Sequence, residues 1–586
     1  MKEIVVEEKY ENLEDHVNDR IEFCQLQTLT LQSLPELTCF ASNNEIDSSM
    51  GLFNYKECTK LGSFIVDRNI RDAALHYLFD AKVGFPCLKK LVIKGLHKLM
   101  TIWHTHLDPN SFSKLTEIWV EDCPSLIHIL GPAILQRLDS TVDLLNVWKC
   151  DSLQVVFNVK EASDTLLAPH HLEKFNFRLC EVDIRNCRSL KNVFPASLVR
   201  NRNLGKLQKL WIFDCEMLEQ IVGEEVGVEE VMPTFVFPST KEVFLFNLPQ
   251  LSSFYPGRHT SKWPSLIELE VTGCYKLEVL AAESSCFQQQ HDTYKQVFFL
   301  YEKDSFSNLK NLTLSITETL CGSLPVDFFK IKNILVYCEH ITSVVPLSVF
   351  FKKCHNLETL RMFNNGDIEE IFICEGSLDG EQHLVGTLSQ LKNLKIVGMP
   401  NLMHVWKDSS HLAGPLFQNL ETLRLHHCPR LENIVSSAIS YRNIVELEVF
   451  DCNGLKHLVT YSVAKSFNNL ERMIVKNCER MIEIVESDKD RDIDVENEIT
   501  FSRLQYMELS DLPNLKGFCC RDYNVRFPVL ETLLVSSCLE MKISSDGVLL
   551  DDSKRERIPI KERGLCRFEV RFIVRSHTLK DAGDFA

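Results

Sequence analysis

Leu207-Gln-Lys-Leu210-Trp-Ile212-Phe-Asp-Cys215-Glu-Met-Leu218 is the phrase on which the reading of this chain turns. It returns as Leu266-Ile-Glu-Leu269-Glu-Val271-Thr-Gly-Cys274-Tyr-Lys-Leu277 and as Ile444-Val-Glu-Leu447-Glu-Val449-Phe-Asp-Cys452-Asn-Gly-Leu455. Apolar residues hold its first, fourth, sixth and last places, and cysteine precedes the final leucine by three. The alternation across the middle has period two, which predicts a short strand with its aliphatic side chains facing in and the intervening ones facing out. The cysteine and last leucine then turn the chain inward again. A further apolar residue commonly follows, as at Ile221, Leu280, Ile434, Leu458 and Ile484.

Seventeen copies can be placed, opening at Leu26, Leu88, Leu115, Val142, Leu179, Leu207, Thr240, Leu266, Leu309, Ile331, Leu357, Leu391, Leu420, Ile444, Leu470, Leu504 and Leu530. Those at Leu309 and Ile331 lose the pattern after their strand. Most intervals are roughly 22 to 43 residues, the spacing of leucine-rich repeats. One repeat cannot bury its own apolar face, so stacking is required. The expected fold is an α/β repeat: an irregular leucine-rich-repeat solenoid with a parallel sheet on its concave face. Nine cysteines (Cys123, Cys150, Cys187, Cys215, Cys274, Cys428, Cys452, Cys478 and Cys538) share one slot, where a thiol serves as a small buried hydrophobe and weak donor. Leu34, Leu96, Leu248, Met399 and Leu512 take that slot in other copies, often followed by proline.

A longer period lies above the repeat. Leu391 to Cys538 follows the plan of Leu88 to Cys274, from a unit ending in tryptophan (Trp103; Trp406) to one ending in Ile-Val and acids (Ile221-Val222; Ile484-Val485). Segmental duplication explains this economically. Met1-Lys-Glu-Ile4-Val5-Val-Glu-Glu8 resembles the end of such a unit, so the chain is expected to begin in mid-repeat, as a piece of a longer architecture. The expected divisions are an acidic partial repeat at 1–22, a solenoid at 23–545 and a basic tail at 546–586. In that tail Phe568-Glu-Val-Arg-Phe-Ile-Val574 alternates like a strand able to cover the last exposed edge.

The 586 residues are 45% hydrophobic and 25% charged, values of a folded water-soluble chain. A formal charge of −17 argues against nucleic acid or an anionic membrane as the main contact, since both require basic stripes. No run of apolar residues reaches membrane-spanning length, and the first residues form no apolar signal segment. With the cysteines bound to a repeat slot, a reducing cytosolic or nuclear setting is expected. The acid-rich stretch Glu486 to Glu498 reads as a solvated loop, with a docking site for a basic partner as the sharper reading. The cluster Lys554 to Arg563 is interrupted by Glu556 and Glu562 and is a weak localisation signal.

Chemistry is hard to find. No phosphate-cradling glycine loop is present, so no nucleotide or other cofactor is expected within these residues. His170-His171 and His426-His427-Cys428 lack the paired spacing of zinc sites, so no metal is expected. No nucleophile with its base can be assembled from local sequence, which disfavours catalysis. The outward strand positions are more informative. They carry Trp119, Trp148, Trp211 with Phe213, and Phe244 with Phe246, read as aromatics in a row. Such residues facing water call for a cover: a protein partner, or inserts of the same chain. Farther on, these positions turn mixed and polar, with Arg361 and Phe363, Lys395, Arg424 and His426, Glu448 and Phe450, and Lys476.

The cysteine-type repeats, the Phe85-Pro-Cys-Leu88 and Phe527-Pro-Val-Leu530 openings and the Ile-Val-acidic inserts resemble the repeat region of plant coiled-coil, nucleotide-binding, leucine-rich-repeat disease resistance proteins. Asn192 to Arg200 and Leu458 to Lys465 fit the same group. The resemblance covers roughly 23–545, and the nucleotide-binding domain has no counterpart here. It implies a recognition module of plant immunity that senses a pathogen effector or a modified host protein. Such a module would act on a nucleotide-binding domain in cis or trans. The competing expectation is a leucine-rich-repeat substrate receptor or scaffold for ubiquitin ligation, although the residues before Leu26 are too few and too polar for an F-box segment.

Overall fold

The computed structural model describes residues 5–6, 21–37, 40–42, 77–81, 83–104, 106–138, 141–158, 178–200, 204–223, 233–256, 259–282, 297–301, 306–316, 330–338, 351, 354, 356–364, 368–372, 390–406, 417–434, 441–486, 498–519, 524–541, 548–549 and 570–573. The acidic stretch at 487–497, His170-His171, the basic cluster at 554–563 and nearly all of the 1–22 segment lie outside the described residues. The chain divides into two compact units, Met1–Leu309 with Ser323–Val326, and Lys310–Gly322 with Asp327–Ala586.

Every one of the seventeen repeats forms its strand, starting two residues after the first apolar position. In the first unit these are β1 (Thr28–Gln32), β2 (Lys90–Lys94), β3 (Glu117–Glu121), β4 (Leu144–Trp148), β5 (Glu181–Arg185), β6 (Lys209–Phe213), β7 (Glu242–Phe246) and β8 (Glu268–Thr272). Each pairs in parallel with the next, in unbroken register. The second unit contains β9 (Asn311–Ile316), β10 (Asn333–Cys338), β11 (Thr359–Asn364), β12 (Asn393–Val397) and β13 (Thr422–His426). It continues with β14 (Glu446–Phe450), β15 (Arg472–Lys476), β16 (Tyr506–Ser510) and β17 (Thr532–Ser536), again all parallel. β18 (Val570–Ile573) then lies antiparallel against β17.

The inward row is the leucine row. Leu91 and Ile93, Leu210 and Ile212, Leu447 and Val449, with their equivalents in every strand but β17, are essentially inaccessible, whereas Leu533 and Val535 of β17 are half-buried. After fourteen of the strands the chain bends at a residue with positive φ, then enters the cysteine slot. All nine slot cysteines are buried, and every described cysteine is free. Their thiols donate to carbonyls two residues back, and some also reach the preceding repeat, as Cys452 does to Leu425 at 3.6 Å and Cys187 to Val147 at 3.7 Å. Burial pushes the Cys274 and Cys478 thiols up to about 12, so these groups stay protonated and inert.

Return segments form a second, broken set of short pairings. Examples are His128–Leu130 with Val155–Phe157, Glu370–Phe372 with His404–Trp406, and His457–Thr460 with Glu483–Glu486. Among the described residues, three such segments lead into short helical pieces, Pro132–Leu138, Ala196–Val199 and Tyr461–Ala464. Between return segment and strand sits a feature broader than the Phe-Pro openings suggest: an aromatic three residues before the first leucine of most repeats. In the second unit Phe417, Tyr441, Phe467, Phe501 and Phe527 meet in sequence, with ring centroids 5.4 to 6.5 Å apart. This buried aromatic spine runs beside the leucine row.

Candidate functional site

With leucines turned in, each strand offers its first, third and fifth residues outward, in rows fixed by the register. The third-residue row of the first unit reads Thr30, Val92, Trp119, Asn146, Asp183, Trp211, Phe244 and Glu270. The fifth-residue row reads Gln32, Lys94, Glu121, Trp148, Arg185, Phe213, Phe246 and Thr272. The aromatics therefore do not form one row, as the sequence suggested. Asn146 and Asp183 separate Trp119 from Trp211, because Trp148 sits one outward position farther along its strand than Trp119 does.

Contact is restored diagonally. Trp119 meets Trp148 edge to face, centroids 4.9 Å apart. Arg185 lies 4.9 Å from the Trp148 ring and 4.7 Å from Phe213, so its guanidinium is sandwiched between two π faces. The almost buried Asp183 grips the same guanidinium as a fork, Oδ1 to Nε at 2.7 Å and Oδ2 to Nη2 at 2.9 Å. Phe213 continues to Phe246 at 6.2 Å, while Trp211 stacks on Phe244 at 5.6 Å with Lys209 over its ring at 5.2 Å. Trp119, Trp148, Phe213 and Phe246 thus join one strip held by Arg185, with the stacked pair Trp211 and Phe244 in the neighbouring row. The rings are half-buried against one another, and Phe246 remains 42% exposed. The indole N–H groups of Trp148 and Trp211 are closed to solvent and have no acceptor among the described residues. At one end of the strip, burial raises the carboxyl of Glu270 beside Phe244 above the usual carboxylate range.

The second unit carries a different surface. Arg424 reaches Glu446 at 2.8 Å and Glu448 at 3.0 Å, and Arg472 shares Glu446 at 3.3 Å while covering the Tyr506 ring at 4.1 Å. His426 stacks on Phe450 at 4.5 Å, and Lys476 lies over the far side of that group at 5.7 Å from the Phe450 centroid. Burial lowers the His426 imidazole to about 4, helped by the positive field of Lys395, His427 and Arg424. Burial raises the Glu448 carboxyl despite Arg424. Arg424, His426, Glu448 and Phe450 therefore form one cluster. Arg361 and Phe363 do not join it: Phe363 stacks on Tyr337 at 5.4 Å, and Arg361 stands exposed in its row.

Asp183 and Arg185 escaped the sequence reading, although the alternation of Glu181-Val-Asp-Ile-Arg185 does turn both outward. Only the diagonal packing reveals that they bind the aromatic strip together. Among the described residues no group of His, Cys, Asp or Glu is placed to hold a metal ion. His427 pairs with Asp451 at 2.9 Å, while Cys428 points into the core. Among the described residues, no helix is long and apolar enough to cross a membrane.

These surfaces suit side-chain recognition of another protein: rigid rings, a fixed guanidinium, and carboxylates spaced by a strand ladder. Comparison with solved structures finds leucine-rich-repeat proteins at low similarity. The crystal structure of CroV588, described as a novel circular LRR protein, is 13% identical, with 80% of this chain and 68% of that chain covered and a TM-score of 0.25. The TLR13–ssRNA13 complex is likewise 13% identical, covering 75% of this chain and 82% of that one, with a TM-score of 0.19. Neither superposition is close enough to carry over any property. The family model described as plant disease resistance protein RPS2-like, leucine-rich repeats, matches residues 86–177, 168–216, 303–442 and 436–543, well over half of the sequence. The chain therefore belongs to the leucine-rich-repeat family of plant RPS2-like disease resistance proteins and is a protein-interaction module.

Proposed function

We propose that this chain is a recognition module of plant innate immunity, sensing a pathogen effector or a host protein altered by one, and acting in the cytosol. The observation that carries the reading is the strip Trp119–Trp148–Arg185–Phe213–Phe246, with Trp211 and Phe244 beside it, on the outward side of the sheet. The leucine row already supplies the core on the other side of these strands. Rings and a guanidinium assembled on the solvent side are the residue types that dominate protein interfaces. Recognition is transmitted to a nucleotide-binding domain, in cis or in trans, by the difference in the partner's affinity for the docked and released states. A partner that binds both states equally shifts nothing.

The test uses Trp119→Ala, Trp148→Ala and Trp211→Ala together in the full chain, against a pathogen-effector library in a two-hybrid screen confirmed by purified-protein binding. Loss of about 2 kcal/mol or more in affinity, with unchanged far-ultraviolet circular dichroism, is expected. Undiminished capture by the folded triple variant would remove this face from consideration.

A further inference from the structure

The second unit carries a row of three facing cations, of which only Arg424 has acidic partners among the described residues. Arg361, Lys395 and Arg424 occupy the third, outward position of β11, β12 and β13 and stand directly opposite one another in register. Elsewhere on the outward face, facing positions pair cations with acids: Lys90 with Glu117, Lys94 with Glu121, and Lys209 with Glu181. Like charges facing across paired strands are destabilising, so Arg361 opposite Lys395 and Lys395 opposite Arg424 cost the chain stability, offset only at Arg424 by its acids on β14.

Counter-charges are missing as well. The outward residues of β9 to β13 are Asn311, Thr313 and Ser315, then Asn333, Leu335 and Tyr337, then Thr359, Arg361 and Phe363. Asn393, Lys395 and Val397 follow, then Thr422, Arg424 and His426. No acid occurs among them. Arg361 and Lys395 have no ion-pair partner among the described residues, and only Arg424 reaches acids, Glu446 and Glu448 on β14. Glu358, just ahead of β11, is already shared between Lys332 and Lys392, at 2.5 and 3.5 Å. A chain with 81 acidic and 64 basic residues thus keeps a wholly basic stretch on one part of its face. The stacked rings of Tyr337 and Phe363 lie alongside, at 5.4 Å.

We infer that Arg361, Lys395 and Arg424 form a docking site for an acidic segment of a protein partner, its carboxylates meeting the cation row and its apolar side chains resting on Tyr337 and Phe363. The inference rests on the outward face being the recognition surface and adds the chemistry of the partner. Strand spacing places neighbouring cations about 4.8 Å apart, close enough for carboxylates from one short segment to engage them together. Nucleic acid is a poorer fit, because three cations cannot follow a phosphate backbone on a chain of charge −17.

The experiment measures fluorescence anisotropy of a fluorescein-labelled glutamate octapeptide with the full chain, alongside its glutamine counterpart and a single-stranded RNA octamer. Expected are binding of the glutamate peptide that weakens as salt rises from about 50 to about 300 mM, and a loss of about tenfold or more in the Arg361→Gln, Lys395→Gln double variant. The variant removes facing like charges on an outward row, so its melting midpoint should be no lower than that of the wild type. Equal binding of the glutamine peptide, tighter binding of the RNA, or no glutamate binding up to about 1 mM overturns the inference. The Trp119, Trp148 and Trp211 triple variant reports separately on the aromatic strip of the first unit, so failure of the acidic site leaves the proposed function standing.

Discussion

The bend after fourteen of the strands is set by one residue at a time. Ser33, Gly95, Asp122, Lys149, Asn186, Asp214, Asn247, Gly273, Gly398, His427, Asp451, Asn477, Asp511 and Ser537, each just ahead of the slot, all have φ between +52° and +70°. Most are glycine, asparagine or aspartate, which tolerate the left-handed region. The bend aims the N–H at the next repeat, as Asp122 donates to Trp148 at 2.9 Å and Lys149 to Arg185 at 2.8 Å. Lys149 is the misfit, a long exposed side chain in a conformation that disfavours it. Lys149→Asn should stabilise the chain by about 0.5–1 kcal/mol in urea unfolding, and a loss would show that its side chain has an unseen role. His426 makes a second residue-scale case. Its folded value of about 4 lies below the 6.5 of the free group, so between those limits the unfolded chain binds the proton and the folded chain does not. Stability should therefore be complete above about pH 6.5 and fall as pH drops toward 4, with a shallower fall in His426→Gln. An NMR titration placing His426 near 6.5 would refute the burial argument.

At the scale of elements, strand and spine differ in how far the sequence announces them. The strand is announced by its leucines, because a period of two is visible in any single copy. The spine is not, since Phe417, Tyr441, Phe467, Phe501 and Phe527 are far apart in the chain and become neighbours only when the repeats stack. Phe467 is buried in the middle of this run. Phe467→Ala should cost about 3–5 kcal/mol, the range for deleting a buried ring, read from the shift of the unfolding midpoint. A cost under about 1 kcal/mol would mean the spine is packing of little consequence. The same distinction explains the aromatic strip. Trp119, Trp148 and Phe213 were legible as outward residues, whereas the sandwiched Arg185 depends on the diagonal between two rows.

Across the molecule, each strand touches only its neighbours in the ladder, so stability should spread locally rather than globally. Leu447→Ala on β14 removes a fully buried rung. Hydrogen exchange followed by mass spectrometry should show the greatest loss of protection in β13, β14 and β15, declining toward β10 along the ladder. Equal loss in every strand of that unit would indicate a single cooperative core instead. The division of the chain near Leu309 was not foreseen from the repeat pattern, which runs through that point with strands on both sides.

Seventeen rungs, their parallel order and the buried cysteine slot were determined by the sequence alone, because a period-two aliphatic pattern leaves one arrangement that turns the repeat's aliphatic positions inward. Which outward residues become neighbours was decided only by the tertiary structure. Register between strands some 22 to 43 residues apart in sequence sets that adjacency, and no local pattern encodes it. Hence the single aromatic row became a two-row strip around Arg185, and three separated cations became one basic row.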